Sequence, residues 1–211
     1  MPLLRGWSRV SGGFLALAMG LAVACSNAPP EVKDYAVKLA ADRAAKDASF
    51  KTNSDSPVPA DHRDELLPLA YFPIDPDYDV PAVFKPAAGS APTLVMPTST
   101  GAQRDMRRVG TLEFTLKGQP LKLGAFVEAA SPNVDTLFVP FSDMTGGTET
   151  YPGGRYLDLV RTPTGIYEVD FNRAYFPYCY YNPTYECPYP PAENRLKIPV
   201  RAGERFKHPN T

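Results

Sequence analysis

The clearest hydrophobic pattern in the chain is an alternation of apolar and polar residues near its middle. From Gly110 to Lys117 every second residue is apolar or small, and Leu121 to Val127 repeats the pattern after a turn at residues 118–120. A period of two is typical of strands that bury one face, so the two segments predict a β-hairpin. The apolar runs Thr93 to Met96 and Thr136 to Phe141 predict two further strands, the second buried on both faces.

Three more strands are predicted in the C-terminal half. They run from Arg155 to Arg161, from Ile166 to Phe171 and from Leu196 to Val200, and a turn with Pro163 and Gly165 joins the first two. Short strands separated by tight turns are typical of all-β proteins. We therefore expect a single, mainly β domain, an antiparallel sandwich or barrel, with helical additions at its N-terminal end.

Helical signals lie in the N-terminal part of the chain. Glu31 to Ala48 is rich in helix-forming residues and has a weak apolar stripe, and it follows a proline pair that suits the start of a helix. The residues from Asp61 to Leu67 predict one or two further turns that end before Pro68. Long helices are not expected elsewhere, because the 24 prolines of the chain fix φ and remove backbone donors.

Length and charge narrow the class of protein. The chain of 211 residues has the size of one domain and is long enough to bury a core, even without an export signal. Its formal net charge is −1, and lysine and arginine do not form a basic stripe. Nucleic acid is therefore not an expected partner.

The N-terminus has the features of an export signal. Arg5 and Arg9 precede the apolar segment GGFLALAMGLAVA, which is too short to span a bilayer as a helix. Cys25 follows at once, and the residues around it resemble the lipobox of bacterial lipoproteins, whose cysteine is acylated. We therefore expect lipidation of Cys25 and attachment to a membrane through that lipid.

This interpretation divides the chain into three segments. Residues 1–24 are expected to be a signal peptide, residues 25–55 the lipidated cysteine with a tether and short helix, and residues 56–211 the β-rich domain. Ser26 resembles the signal that sorts Gram-negative lipoproteins to the outer membrane. In such a host we expect the protein in the cell envelope, facing the periplasm.

Acylation of Cys25 would leave an even pair, Cys179 and Cys187. In an oxidising compartment this count favours a disulfide across the seven intervening residues, and the alternative is two reduced, buried cysteines. A zinc site formed by this pair with His208 is disfavoured, because the spacing lacks the short C-x-x-C form. We expect no metal and no cofactor.

Two stretches of the C-terminal half have unusually specific side chains. They are FVPFSDMTGGTETYPGGRYL, from Phe138 to Leu157, and the segment from Asp170 to Glu204. Together they resemble the domain-of-unknown-function 1684 family of bacteria and archaea. The residues that carry the resemblance are Asp143, Thr145, Gly147, Thr148, Thr150, Tyr151, Gly153, Gly154, Arg155, Tyr156, Leu157, Asp170, Phe171, Asn172, Ala174, Tyr175, Pro177, Cys179, Cys187, Pro188, Pro190, Pro191, Asn194, Leu196, Ala202, Gly203 and Glu204.

The resemblance implies family membership and supplies no reaction, substrate or cofactor. This chain also departs from the family pattern. Phe176 stands where the family usually has asparagine, which removes one candidate polar ligand. The tryptophan-rich N-terminal part of longer members is shortened here.

Polar residues of these stretches form a candidate ligand site. The glycines and threonines from Thr145 to Gly154, followed by Arg155, suit an anion-binding loop. The alternative is that the glycines form turns and Arg155 pairs with Asp143 or Asp170 inside the domain. Asp170 and Asn172 at a strand end suit a ligand pocket or, equally, a capped turn. The candidate set is Asp143, Thr148, Tyr151, Arg155, Asp170, Asn172, Tyr175, Asn194 and Glu204.

We expect an envelope protein that binds a small molecule or a cell-wall component without catalysis. The histidines, His62 and His208, are poorly placed for a nucleophile–base pair. One alternative is a hydrolase with paired carboxylates among Asp143, Asp170 and Glu204, and another is an interaction protein with no ligand site. Aromatic residues of the C-terminal half suit stacking on sugar rings or ordinary packing: Phe138, Phe141, Tyr151, Tyr156, Phe171, Tyr175, Tyr178, Tyr180, Tyr181, Tyr185 and Tyr189.

Overall fold

The strands of the computed structural model form one antiparallel sheet. The structure describes residues 30–207 except 90–92, 133–134, 161, 163 and 165. The predicted signal peptide, Cys25 and His208 lie outside the described residues. The seven strands of the sheet are β1 (Asp79–Pro86), β2 (Thr93–Pro97), β3 (Gln103–Leu116), β4 (Gln119–Glu128), β5 (Thr136–Phe141), β6 (Arg155–Val160) and β7 (Ile166–Asp170).

The sheet curls into a nearly closed barrel. Its strand order is β6-β5-β4-β3-β1-β7, with β2 paired to β3 as well, and the end strands β6 and β7 approach each other. Because each strand turns one face inward, apolar side chains fill the interior, among them Leu112, Leu123, Val139, Phe141, Val169 and Phe171. The prediction of a mainly β, antiparallel, barrel-like domain is confirmed.

The predicted hairpin of β3 and β4 is present, with its turn one residue earlier than expected. Lys117 and Gly118 have φ values of 48° and 78°, which is typical of a two-residue turn with positive φ at both positions. Gln119 and Pro120 already pair with β3. The alternation therefore places Leu112 opposite Leu123 on the inner face.

Helix α1 (Pro30–Thr52) lies against the barrel. Leu39 is buried, and the helix also attaches through polar contacts. The Tyr35 hydroxyl donates to Asp170 at 2.9 Å, and Arg43 donates to the carbonyl of Asn172 at 3.0 Å. The short helices α2 (Arg63–Leu66) and α3 (Tyr178–Tyr181) follow later in the chain. None of the helices described is both long and apolar enough to cross a bilayer.

Two sequence-based assignments are wrong. The sequence pattern does not predict strand β1, because Pro81 and Pro86 argue against a strand. Both residues nevertheless pair with neighbouring strands. The predicted strand Leu196 to Val200 is irregular backbone. Its apolar side chains close one end of the core, while its backbone bonds to a loop, as in the 2.8 Å contact between the Leu196 N–H and the Ser142 carbonyl.

Candidate functional site

Arg155, at the start of β6, is buried with Asp143. The side chains of the pair are 1 % and 2 % exposed, and their closest N–O distance is 2.8 Å. The guanidinium also donates to the backbone carbonyls of Val200 (2.7 Å), Ala202 and Glu204 (3.2 Å). These contacts engage Arg155 inside the domain, where it fastens the C-terminal segment to the barrel.

The loop before Arg155 is closed by its own hydrogen bonds. The N–H groups of residues 146–150 all donate to carbonyls of residues 143–150. The Thr148 hydroxyl donates to the Thr145 carbonyl at 3.1 Å, and the Thr145 hydroxyl donates to Asp143 at 2.7 Å. These backbone donors are therefore not presented to an anion. Tyr151 lies half-buried against Tyr180, and burial raises its pKa to about 12.

Asp170 and Asn172 form a second polar group, at the end of β7. The Asp170 carboxylate accepts a hydrogen bond from the Asn172 N–H at 2.9 Å. It also forms an ion pair with Arg173, at a distance of 3.1 Å. The Asn172 amide bonds to both backbone groups of Asp75, at 3.1 and 2.8 Å. The hydrogen bond to Asp170 and the two hydrogen bonds between Asn172 and Asp75 all stabilise the turn that follows β7.

Asp79 lies beside Asp170 and was not predicted as a site residue. It is the cross-strand partner of Asp170 in the β1–β7 ladder. One of its carboxyl oxygens is shielded from solvent and has no hydrogen-bond partner in the part of the chain described. Burial, followed by the charges of Asp170 and Glu168, raises the pKa of Asp79 to about 6.

Glu204 and Asn194 also serve internal contacts. The Glu204 carboxylate forms an ion pair with Lys46 at 2.6 Å. It also accepts hydrogen bonds from the Phe176 N–H at 2.6 Å and from the Tyr181 hydroxyl at 2.7 Å. The Asn194 side chain bonds to both backbone groups of Gly124 and to the Pro140 carbonyl, at 2.6 to 2.9 Å. It thereby joins β4 to β5.

The nine candidate residues do not surround one opening. Asp143, Thr148, Tyr151 and Arg155 belong to the loop before β6 and the start of that strand, and the Glu204 carbonyl also accepts from Arg155. Asp170 and Asn172 lie at the end of β7, and Asn194 lies between β4 and β5. Only Tyr175 lines the aromatic pocket, an opening of about 580 Å³ between the outer face of β3 to β6 and the segment of residues 175–188. The residues that line this aromatic pocket are Arg104, Met106, Val127, Glu128, Ser131, Thr136, Phe138, Tyr156, Asp158, Tyr175, Tyr178, Tyr185, Glu186, Cys187 and Pro188.

Five aromatic rings shape the aromatic pocket. Phe138 and Tyr156 meet edge to face with their ring centres 4.7 Å apart, and Tyr156 meets Tyr175 in the same way at 5.8 Å. Tyr178 and Tyr185 form a third edge-to-face pair at 5.4 Å. Such contacts favour fixed ring positions. The rings therefore form a preorganised apolar wall.

Charged groups stand at the rim of this wall. Arg104 lies 3.5 Å from Glu128 and 3.3 Å from Glu186. Asp158, exposed on β6, accepts the Tyr175 hydroxyl at 2.7 Å and takes part in none of the ion pairs found among the described residues. Burial, and then the charge of Asp158, raises the pKa of Tyr175, so this phenol remains a donor.

Cys179 and Cys187 lie at the base of the same region as buried, free thiols. The Cys179 N–H donates to the Cys187 sulfur at 3.1 Å. The hydrogen bond between the two thiols lowers the pKa of Cys179 to about 6 and raises the pKa of Cys187. The predicted disulfide is not formed in the structure. Within the described residues, no group of three or more His, Cys, Asp or Glu side chains could hold a metal ion.

Comparison with known proteins places the chain in a family. The sequence model of the family described as Protein of unknown function (DUF1684) matches residues 65–205. The chain belongs to this family. The DUF1684 match spans all seven strands and every candidate site residue from Asp143 to Glu204.

A solved structure has a similar fold. It is the solution NMR structure of an uncharacterized protein from Haloarcula marismortui, with 39 % sequence identity and a TM-score of 0.65. The similarity covers 83 % of this chain and 96 % of that chain. Comparison with curated proteins finds no match. The two proteins therefore share the barrel fold.

Sequence reasoning missed the charged rim of the aromatic pocket. Arg104 and Glu128 lie at the open end of the β3–β4 hairpin, beyond the residues that the pattern predicted, and the folded sheet brings Asp158 of β6 to the same rim. Asp158 gave one local signal, because it is the only acid in the otherwise apolar stretch from Tyr156 to Val160.

Proposed function

We propose that this domain binds a small molecule in the aromatic pocket without acting on it chemically. The observation that carries the proposal is the convergence of five aromatic rings around one opening of about 580 Å³. Ligand sites of small molecules commonly have volumes of about 300–1,000 Å³ and combine apolar walls with a few polar groups. The aromatic pocket has this composition.

Binding is favoured over hydrolysis by the contacts of the candidate carboxylates. Asp143 is paired with Arg155, Asp170 caps a turn, and Glu204 accepts three donors. None of the three lines the aromatic pocket. A glycosidase needs two carboxyl groups that face one cleft at roughly 5–9 Å. These three carboxylates serve internal contacts instead, and those that do line the pocket have partners: Glu128 and Glu186 lie beside Arg104, and Asp158 accepts the Tyr175 hydroxyl.

The proposal is tested with three soluble probes and a variant that fills the pocket. Indole, N-methylpyridinium and methyl β-D-glucopyranoside represent an apolar ring, a cation and a sugar. Thr136 is an exposed strand residue that lines the pocket, so Thr136→Trp should occupy the opening without disturbing the core. We expect saturation-transfer NMR signals from at least one probe with the unaltered protein and their loss with Thr136→Trp.

Val83→Trp is the matched control. Val83 is an exposed residue of β1 that does not line the aromatic pocket, so this variant should retain probe binding. If no probe binds at millimolar concentration, or if Thr136→Trp leaves all binding unchanged, the proposal is wrong. The interaction-protein alternative would then be the better description.

We also propose that the protein is exported and that a lipid on Cys25 anchors it to a membrane. The sequence features of residues 1–25 support this location. Mass spectrometry of protein from a native-host membrane fraction should find a mature chain that begins at acylated Cys25. An unmodified Cys25 in that fraction would refute the lipid anchor and leave the ligand-binding proposal untouched.

A further inference from the structure

We propose that the ligand of the aromatic pocket is an organic cation with a methylated or quaternary ammonium group. This inference rests on the proposed binding function and deepens it. It combines two independent features of the site, namely a wall of aromatic rings in edge-to-face contact and an excess of negative charge at the rim. Together they match the chemistry of a compact, weakly hydrated cation better than that of a neutral or anionic ligand.

The rings provide the first part of this match. An ammonium group within about 6 Å of an aromatic ring centre is attracted by the electron-rich ring face, and several rings around one cation form the cages that recognise quaternary ammonium ligands. Phe138, Tyr156 and Tyr175 form a continuous series of edge-to-face neighbours, and Tyr178 with Tyr185 stands in the same wall. A methylated ammonium group also has apolar methyl surface that such a wall would remove from water.

The charges provide the second part. Three carboxylates and one guanidinium line the pocket, which gives its lining a formal charge of −2. Arg104 is already engaged by Glu128 and Glu186. Asp158 has the Tyr175 hydroxyl as a donor but no cationic partner in the ion pairs of the described chain. An incoming cation would balance this carboxylate, whereas an anion would be repelled.

No basic side chain of the pocket lining occupies the position that the proposed cation would take. Arg104 is the only lysine or arginine in that lining. Lys46 lies 5.0 Å from the ring centre of Tyr175, which shows that this ring already accepts an ammonium group as a neighbour. Lys46 is paired with Glu204 and is not part of the pocket lining, so the opening remains available to a second cation.

The test compares two ligands of nearly the same shape and different charge. Choline has a trimethylammonium group, and 3,3-dimethylbutan-1-ol has a neutral tert-butyl group in its place. We expect NMR titration to show choline binding at least about tenfold more tightly, because the cation adds electrostatic attraction to the same apolar contact. Raising the salt concentration should weaken choline binding and leave the neutral analogue unaffected.

Asp158→Asn is the diagnostic variant. Its amide oxygen can still accept the Tyr175 hydroxyl, so the variant removes the charge while the wall keeps its support. We expect Asp158→Asn to lower choline affinity several-fold and to leave the alcohol unchanged. Asp105→Asn, at an exposed strand position outside the pocket lining, is the control that should change neither affinity.

The outcomes separate this inference from the proposed function. If the alcohol binds as tightly as choline, or Asp158→Asn leaves the preference intact, the cation inference is wrong and the binding function stands. The same holds if Thr136→Trp blocks indole or the glucoside while choline does not bind at all. If no probe binds, both proposals are wrong.

Discussion

A buried arginine and a half-buried aspartate show how differently single charged residues contribute to this fold. Arg155 is almost fully buried, and its Nε has no hydrogen-bond partner among the described residues, but Asp143 neutralises its charge and three carbonyl groups accept from its terminal nitrogens. Asp79 has a shielded carboxyl oxygen with no hydrogen-bond partner among the described residues. A buried charge that is well paired can be tolerated, whereas a poorly paired one favours its neutral form. Arg155 is therefore a structural residue, and Asp79 should make stability depend on pH.

The Asp79 carboxyl should destabilise the folded protein as the pH rises. Because the pKa of Asp79 rises from 3.8 to about 6 on folding, its stabilising contribution is fully present below pH 3.8 and is lost as the pH rises through 6. Asp79→Asn removes this dependence. At pH 7.5 we expect a Tm about 2–4 °C above that of the unaltered protein, the shift that corresponds to about 1 kcal/mol at this chain length.

Thermal unfolding followed by circular dichroism between pH 4 and 8 measures this effect. The difference in Tm between the two proteins should shrink toward zero as the pH approaches 4. Asp105→Asn, at an exposed position on β3, should show no such trend. A Tm difference that is the same at pH 4 and pH 8 would contradict the assigned cause.

The elements show where sequence patterns suffice and where they fail. The alternation of apolar and polar residues was sufficient to predict the β3–β4 hairpin. Each of these strands has one buried face, and the turn between them has positive φ. β1 was missed because strand propensity discounts proline. The segment from Leu196 to Val200 has the composition of a strand, but its backbone partners are loop groups around Asp143. Partner identity is a tertiary property that a local pattern does not contain.

Helix α1 was predicted as an element, but its role was not. The weak apolar stripe gives no sign of a polar attachment, whereas in the structure Lys46 of this helix pairs with the buried carboxylate of Glu204. Lys46→Met would leave that carboxylate buried with its two hydrogen-bond donors but without its cationic partner. We expect the free energy of unfolding to fall by about 1–3 kcal/mol, which is typical when a buried charged group loses its partner.

Urea denaturation measures this loss, and Lys38→Met on the same helix is the matched control. Within the described residues Lys38 pairs with Asp42 alone, at an exposed position four residues later, so its loss should cost about 0.5 kcal/mol or less. The double variant Lys46→Met with Glu204→Gln should regain part of the stability. Equal effects of the two lysine variants would mean that α1 does not stabilise the barrel through Glu204.

At the scale of the whole molecule, the fold class was predictable and the aromatic pocket was not. A run of short strands with tight turns defines an antiparallel barrel or sandwich. The aromatic pocket lies outside the barrel, where the tyrosine-rich segment of residues 175–188 covers the outer face of the sheet. The sequence marked this segment by its aromatic residues and its resemblance to the family. The strands that it covers, and therefore the pocket, follow only from the folded chain.

The same tyrosine-rich segment contains the thiol pair, whose oxidation state should depend on the proposed export of the protein. The lowered pKa of Cys179 favours its thiolate, which can attack a disulfide-bearing oxidant in an exported compartment. Cys187 then displaces the oxidant's remaining thiol from the mixed disulfide, so two electrons pass to the oxidant and two thiols become one disulfide. We predict that the exported protein contains this bond and that the chain made without residues 1–24 in a reducing cytoplasm contains two thiols.

Alkylation followed by peptide mass spectrometry distinguishes the two forms. The exported protein should have no alkylated Cys179 or Cys187 before reduction, and the cytoplasmic chain should have both alkylated after unfolding. Closing so short a loop should add about 2–3 kcal/mol to the free energy of unfolding, and a reductant should remove this gain. A Cys179→Ser, Cys187→Ser variant should be insensitive to the reductant. Two free thiols in the exported protein would refute the predicted disulfide. The cysteine pair would then be a buried, hydrogen-bonded contact.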